Sequence, residues 1–489
     1  MKRRTFLRAA VGGVISSGVM CGRSDRVRAT EVGLIDSSAG GGHAIRLIDD
    51  AGDALRSRFE LIDGAKETLD VSYYLFDSGL VATAVAGRLV TAARRGVRVR
   101  LMVDGLASRI PETLLRYMTC GGVQVRVFNP VCYLRPVQIN RRYHGKLVIA
   151  DHERMVTGSR NLEDAHFELG SSSDRLIELD PMRTFLDEEM RIDGGPIAAS
   201  ASRHFQCVWS DHRVKATGES LGNDHSCLES IKQKLGQDHP QTFADRWRDV
   251  RCSSQTVALI ERADRDARQL ICEGLSGGVE RDSTAAHGCE TYAIGDDRIR
   301  FLADCCVDKS RRCFGDWITR AIDAARCEVW IESPYPAPGR ELFAAMRRAV
   351  DRGVRVRVLT NSLASTDQVR VYAALLNDRR RWRSGGIELI EAPGTVTRHA
   401  KVLVIDSAMA MVGTHNFDIR SSRWNLEVGV AVWDHRFAAA VRRRSAERFE
   451  QGCEGVADLG CEGVADPGWC RKMEVTLRRA VTPICRRCL

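Results

Sequence analysis

One short string of residues occurs twice in this chain at identical spacing, and that repetition limits what the chain can fold into. His399-Ala400-Lys401 leads through Val402-Leu403-Val404-Ile405 to Asp406, then to Gly413-Thr414-His415-Asn416. His144-Gly145-Lys146 leads through Leu147-Val148-Ile149-Ala150 to Asp151, then to Gly158-Ser159-Arg160-Asn161. An apolar run of four between a basic pair and a carboxylate reads as a buried strand entering a turn. His, Lys and Asn then stand at strand ends, where side chains from two copies can converge on one pocket. Imidazole serves as nucleophile or proton carrier near neutral pH, and a lysine and an amide hold phosphate oxygens.

The flanks repeat as well. Arg95-Gly96-Val97-Arg98-Val99-Arg100 and Arg352-Gly353-Val354-Arg355-Val356-Arg357 precede the two histidines at nearly equal distances. Around them the pattern predicts strands over 68–76, 97–104 and 123–127, with helices over 81–95 and 111–119; Gly96 stands as the residue after a helix end. In the second half, strands are predicted over 328–332, 354–359 and 387–390, with a helix over 341–351. Alternation of this kind gives an α/β fold, each half a mostly parallel sheet with helices on both faces. The boundaries read as 30–215 for the first domain, 216–295 for a polar connector with some helix from Ser253, 296–450 for the second domain, and 451–489 for a cysteine-containing tail with a short tandem repeat.

Residues 1–29 read as a twin-arginine type export signal: Lys2-Arg3-Arg4-Thr5-Phe6-Leu7-Arg8 precedes a mild apolar run, with Val27-Arg28-Ala29 suited to cleavage. The leader carries +6 of the formal net charge of +9, so about +3 remains after its removal. A broad basic face for nucleic acid is therefore not indicated, while peripheral contact with an anionic lipid surface is compatible. No stretch approaches the ~20 apolar residues of a membrane-spanning helix. The 17 cysteines suit an oxidising compartment and lack the spacing of a zinc module.

Paired His-x-Lys-x4-Asp strings, each followed by Gly-[Ser/Thr]-x-Asn, resemble the phospholipase D superfamily. Residues 43–212 and 297–450 are similar to the two halves of its bacterial cardiolipin synthase branch, including Ser333-Pro334-Tyr335, Leu359-Thr360-Asn361-Ser362-Leu363 with Asp367, and Gly413 to Asn425 with Glu427. The resemblance implies two tandem, pseudo-twofold-related domains and phosphatidyl transfer between glycerophospholipids or to an alcohol. It also implies a covalent phosphohistidine, with His144 as nucleophile and His399 as acid–base. Lys146 and Lys401 would neutralise phosphoryl oxygens, with Ser159, Asn161, Thr414 and Asn416 lining the substrate site. Asp151 and Asp406 belong to the catalytic strings, although their place past the strand suits fixing the loop. No metal or other cofactor is called for, since two lysines supply the charge. Glu427, 28 residues after His399, stands where an orienting carboxylate is expected; the same offset after His144 falls on Ser172, leaving Asp174, Glu188 and Glu189 as candidates. His152, His166 and His415 are expected in loops or as pocket lining. Hydrolysis to phosphatidic acid, a nuclease-like phosphodiesterase and a non-catalytic scaffold are the competing readings. An exported, periplasmic or peripheral enzyme with a phospholipid substrate is the location and partner that follow.

Overall fold

The computed structural model describes residues 42–131, 139–167, 184–217, 253–273, 290–304 and 313–450. The export signal, Ser172, Asp174, much of the connector and the C-terminal tail lie outside the described residues.

The first half begins with β1 (Gly42–Ile48) and α1 (Ala51–Asp63), then runs β2 (Thr68–Tyr73), α2 (Leu80–Arg94), β3 (Arg98–Asp104), α3 (Glu112–Cys120) and β4 (Gln124–Phe128). These three last strands pair in parallel, as crossover helices between them require. The helix end at Arg94 is enforced by Gly96, whose φ of 94° suits a residue without Cβ; Gly353 repeats this with φ 85°. The first motif forms an antiparallel hairpin, β5 (Leu147–Ala150) and β6 (Arg154–Gly158), with β5 antiparallel to β2. Then follow β7 (Phe185–Leu186), β8 (Glu189–Asp193), α4 (Gly195–Trp209), β9 (Val214–Ala216), α5 (Ser253–Glu273) and β10 (Thr291–Gly295). The sheet order is β10-β1-β8-β6-β5-β2-β3-β4-β9.

The second half repeats the plan: β11 (Ile299–Ala303), α6 (Cys313–Asp323), β12 (Glu328–Glu332), α7 (Arg340–Asp351), β13 (Arg355–Asn361), α8 (Val369–Ser384), β14 (Glu388–Ala392), β15 (Thr397–Arg398), β16 (Val402–Ile405), β17 (Met409–Gly413), α9 (Ile419–Arg423), β18 (Val428–Val432) and α10 (His435–Glu450). Its sheet order is β11-β18-β17-β16-β12-β13-β14. The α/β class and the duplication are those expected. Each sheet is mixed: the strand–helix–strand run supplies the parallel part, and the tight turn after each motif strand makes the next strand antiparallel.

Three apolar layers hold these elements. Leu69, Val71, Val99 and Leu101 pack under α1, α2 and α5, and Val329, Ile331, Val356 and Val358 pack under α6, α7 and α8. Between them the inner faces of both sheets share one core, where Ile149, Met155 and Met190 meet Val404, Val412 and Val430, with Phe205 of α4 and Phe437 of α10. The two motif hairpins thus face each other across a single buried layer. The described parts of 216–295 are built into the first half: Ile260 of α5 sits so close to α2 that a Cβ on Gly87 would meet it at 2.5 Å, and β10 pairs with β1.

Candidate active site

Main-chain bonds tie each motif histidine to the opposite half. The His144 amide donates to the Leu426 carbonyl at 2.9 Å, and the His399 amide donates to the Leu186 carbonyl at 2.6 Å. β15 pairs with β7 in parallel to make the second junction. The residue before each histidine is pinned as well: Asp104 accepts from the Tyr143 amide, and Asn361 accepts from the Arg398 amide.

The residues following Leu426 and Leu186 are carboxylates, and each reaches the histidine of the other half. His144 Nδ1 donates to Glu427 Oε2 at 2.8 Å, and His399 Nδ1 donates to Asp187 Oδ1 at 2.8 Å. An ionised carboxylate only accepts, so both Nδ1 atoms carry hydrogen and both Nε2 atoms are left for chemistry. This corrects the expectation that Glu427 serves His399. It also removes Glu188 and Glu189 as partners for His144: Glu188 pairs with Arg448 of α10, and Glu189 with Arg58 of α1. Ser159 and Thr414 donate hydroxyls to the two carboxylates, each at 2.5 Å; they brace the acids. The motif glycines allow this approach, since a Cβ on Gly158 would meet the Glu188 carbonyl at 2.5 Å and one on Gly413 the Val428 carbonyl at 2.6 Å.

Both lysines are buried beside their histidines. Lys146 Nζ donates to the His144 carbonyl at 2.8 Å. Lys401 Nζ donates to the His399 carbonyl at 2.5 Å and to His399 Nε2 at 2.8 Å. Burial pushes Lys146 down to about 8 against the pull of Glu427 and Asp187. Burial, with the charge of Lys146 added, holds Lys401 well below the usual lysine range although Asp187 opposes it. Burial also lowers His144 to about 4 despite Glu427, and lowers His399 strongly, reinforced by Lys401. Burial alone would raise Glu427, but His144 and its hydrogen bonds hold it far below the carboxylate range. Before a ligand enters, the site therefore stands with neutral imidazoles on ionised carboxylates, and an anion arriving beside the two lysines favours their cationic form.

Aromatic rings close the walls. Tyr74 meets His144 edge-on with centroids 4.7 Å apart, and Tyr335 meets His399 at 6.2 Å. Asn161 and Asn416 are buried, each with an amide oxygen that has no hydrogen-bond partner among the described residues.

Asp151 and Asp406 are not in this pocket. Asp151 accepts from the amides of Lys66, Glu67 and Thr68, and Asp406 from those of Arg326, Cys327 and Glu328. Both have φ near +54°, at the far end of the motif strand. Asp suits a position that needs a left-handed backbone and a local acceptor. Their place in the catalytic strings is thus corrected to a structural one. His152 lies beside Asp151 in the same turn, and His415 Nδ1 accepts from the Phe417 amide.

Asp187 and Asn425 are members that the sequence did not single out, and His166, expected in a loop or as pocket lining, joins them. Asn425 donates to Glu427 Oε1 at 3.0 Å, and His166 Nδ1 donates to Asp187 Oδ2 at 2.7 Å. Among the described residues, His166, Asp187 and His399 also bring metal-capable atoms within 4.8 Å of one another, with each Asp187 oxygen taken by a ring N–H. The signal for Asp187 was present: Leu186-Asp187 shortly precedes β8 as Leu426-Glu427 directly precedes β18.

Residues 59–182 and 318–449 match the family described as cardiolipin synthase, PLD-like domain. Cardiolipin synthase C of Escherichia coli is 26% identical over 420 residues, covering 80% of this chain and 82% of that protein. An uncharacterized protein of Helicobacter pylori is 26% identical over 435 residues, covering 83% and 79%. The crystal structure of phosphatidylserine synthase from Haemophilus influenzae superposes with a TM-score of 0.56 at 14% identity, covering 83% of this chain and 86% of that one, which shows the shared fold.

Proposed function

The chain belongs to the cardiolipin synthase-type, PLD-like family, and from that premise we propose that it transfers phosphatidyl groups through a covalent phosphohistidine. The observation that carries this is the pair of imidazoles held across one pocket by carboxylates 2.8 Å away, with a buried lysine beside each. A phosphodiester anion between the lysines offsets their charge, which makes protonation of a neighbouring imidazole easier than in the empty site. His144 Nε2 attacks phosphorus as the bond to the leaving oxygen breaks, and protonated His399 gives that oxygen its proton. Glu427 stabilises the cationic phosphohistidine. His399, now neutral, takes the proton of an incoming hydroxyl, whose oxygen displaces His144. Lys146, Lys401 and the amides of Asn161 and Asn416 carry the charge on the equatorial oxygens; loss of one such donor typically costs ~10²–10³ in rate.

A lipid acceptor meets this site from a membrane surface, and among the described residues no helix is long and apolar enough to span one. Residues 1–29 as an export signal complete the proposal, and N-terminal sequencing of the cell-derived protein tests it. For the activity, the protein is incubated with labelled phosphatidylglycerol, with and without a second alcohol. Cardiolipin or a new phosphatidyl-alcohol that disappears in His144→Ala and His399→Ala is expected. Phosphatidic acid alone would replace transfer with hydrolysis; cleavage of a simple phosphodiester and no lipid would favour the nuclease-like reading.

A further inference from the structure

The two histidine–carboxylate pairs differ in what holds the second carboxylate oxygen. Glu427 gives Oε2 to His144 and Thr414, and its other oxygen to the amide of Asn425. Asp187 gives Oδ1 to His399 and Ser159, and its other oxygen to the imidazole of His166. The same position thus holds a group that cannot ionise in one pair and one that can in the other. His166 is 2% exposed and stacked on Phe185 at 4.3 Å, with its ring 4.8 Å from that of His399. Its Nε2 faces the Asn161 amide at 3.1 Å.

We propose that His166 is a positioning residue whose charge state sets how much of the Asp187 carboxylate His399 feels, so that one of the two histidines is tunable and the other is fixed. This rests on the two-histidine reading of the site. With His166 cationic, Asp187 is shared between two imidazoles and His399 is harder to protonate. With His166 neutral, the full carboxylate supports a proton on His399. His144 has no such dependence, because Asn425 keeps its protons at any pH. The second ring nitrogen extends the effect to the substrate side. A neutral His166 Nε2 accepts from Asn161, whereas a protonated one calls for the Asn161 oxygen, now unpartnered, and turns the amide N–H toward the phosphate. The titratable groups about the ring are Asp187, Glu163 at 3.9 Å and His399. Lys401 and Tyr335 lie against His399, and Arg160 meets the His166 carbonyl.

The test is the pH profile of phosphatidylglycerol turnover in wild type and in His166→Asn, which offers Asp187 a neutral amide as Asn425 does for Glu427. The expected result is that the limb reporting His399 protonation moves up by about one pH unit, a tenfold change at a pH on that limb. Should His166→Asn not fold, as judged by its melt, His166→Gln carries the same comparison. Identical profiles with a rate lowered equally at every pH would make His166 merely structural and overturn the inference. A wild type inactive on lipid would instead overturn the reading on which it rests.

Discussion

Removing one site carboxylate reports which histidine it serves, and here the answer crosses the halves. Asp187 lies in the half that supplies His144, yet it contacts His399. The Asp187→Asn variant loses an ionised acceptor 2.8 Å from His399 Nδ1, and hydrogen bonds to charged groups are worth about 1.5–3 kcal/mol. A double-mutant cycle isolates that term from the losses at Ser159 and His166. Urea unfolding of Asp187→Asn, His399→Ala and the double variant should give a coupling of about 1.5–3 kcal/mol. The cycle pairing Asp187→Asn with His144→Ala should close to within about 0.5 kcal/mol, as for groups that share no contact. Glu427→Gln should behave conversely, coupled to His144 and not to His399. Coupling of Asp187 to His144, or equal coupling to both histidines, would refute the crossed arrangement and with it the proposed division of labour.

The motif aspartates should separate stability from chemistry. Asp151→Ala and Asp406→Ala each release three backbone amides and should lower unfolding free energy by about 1–2 kcal/mol, with turnover per folded molecule kept within a few-fold; a catalytic role would show as loss of turnover in fully folded protein. Because Lys146 is pushed down to about 8 and binds phosphate only as a cation, kcat/KM should lose a further factor of about ten per pH unit above 8, on top of the loss from the His399 limb; a profile that does not steepen between about pH 8 and 10 would contradict this. Burial lowers His204 to about 4, and its Nε2 has no hydrogen-bond partner among the described residues. The unfolded chain therefore binds a proton that the folded one refuses between pH 6.5 and 4, so stability falls as pH drops through that window, by about 3 kcal/mol at most from this residue. His204→Phe should flatten that part of the stability curve, and an unchanged slope would exclude the mechanism.

The duplicated strings made the fold class, the motif strands with their turns and both histidine–lysine pairs legible, because apolar strands flanked by fixed polar ends leave few alternatives. What spacing did not carry was the exchange of carboxylates. Glu427 and His399 are near in sequence, but the parallel junctions at Leu186 and Leu426 place each acid on the far histidine. Asp187, Glu188 and Glu189 are three consecutive acids that meet His399, Arg448 and Arg58, and only the direction each takes from the backbone tells them apart. The offset that fell on Ser172 missed Asp187 because the first half carries 15 additional residues between histidine and acid. Helix α5 was legible as a helix from Ser253, but its place in the core of the first half was not: its buried face, Leu259, Ile260, Ala263 and Ala267, lies within a polar stretch that reads as a connector.

The covalent intermediate tests phosphatidyl transfer through His144 most directly. Phosphatidylglycerol labelled at the phosphate is mixed with the protein, the reaction is quenched in base, and label on the protein is counted. Wild type should carry base-stable, acid-labile label, His144→Ala should carry none, and His399→Ala should retain what little it forms because no base activates the acceptor. Label that persists in His144→Ala and vanishes in His399→Ala would exchange the two roles. Turnover of lipid with no label on any form of the protein would contradict the phosphohistidine itself.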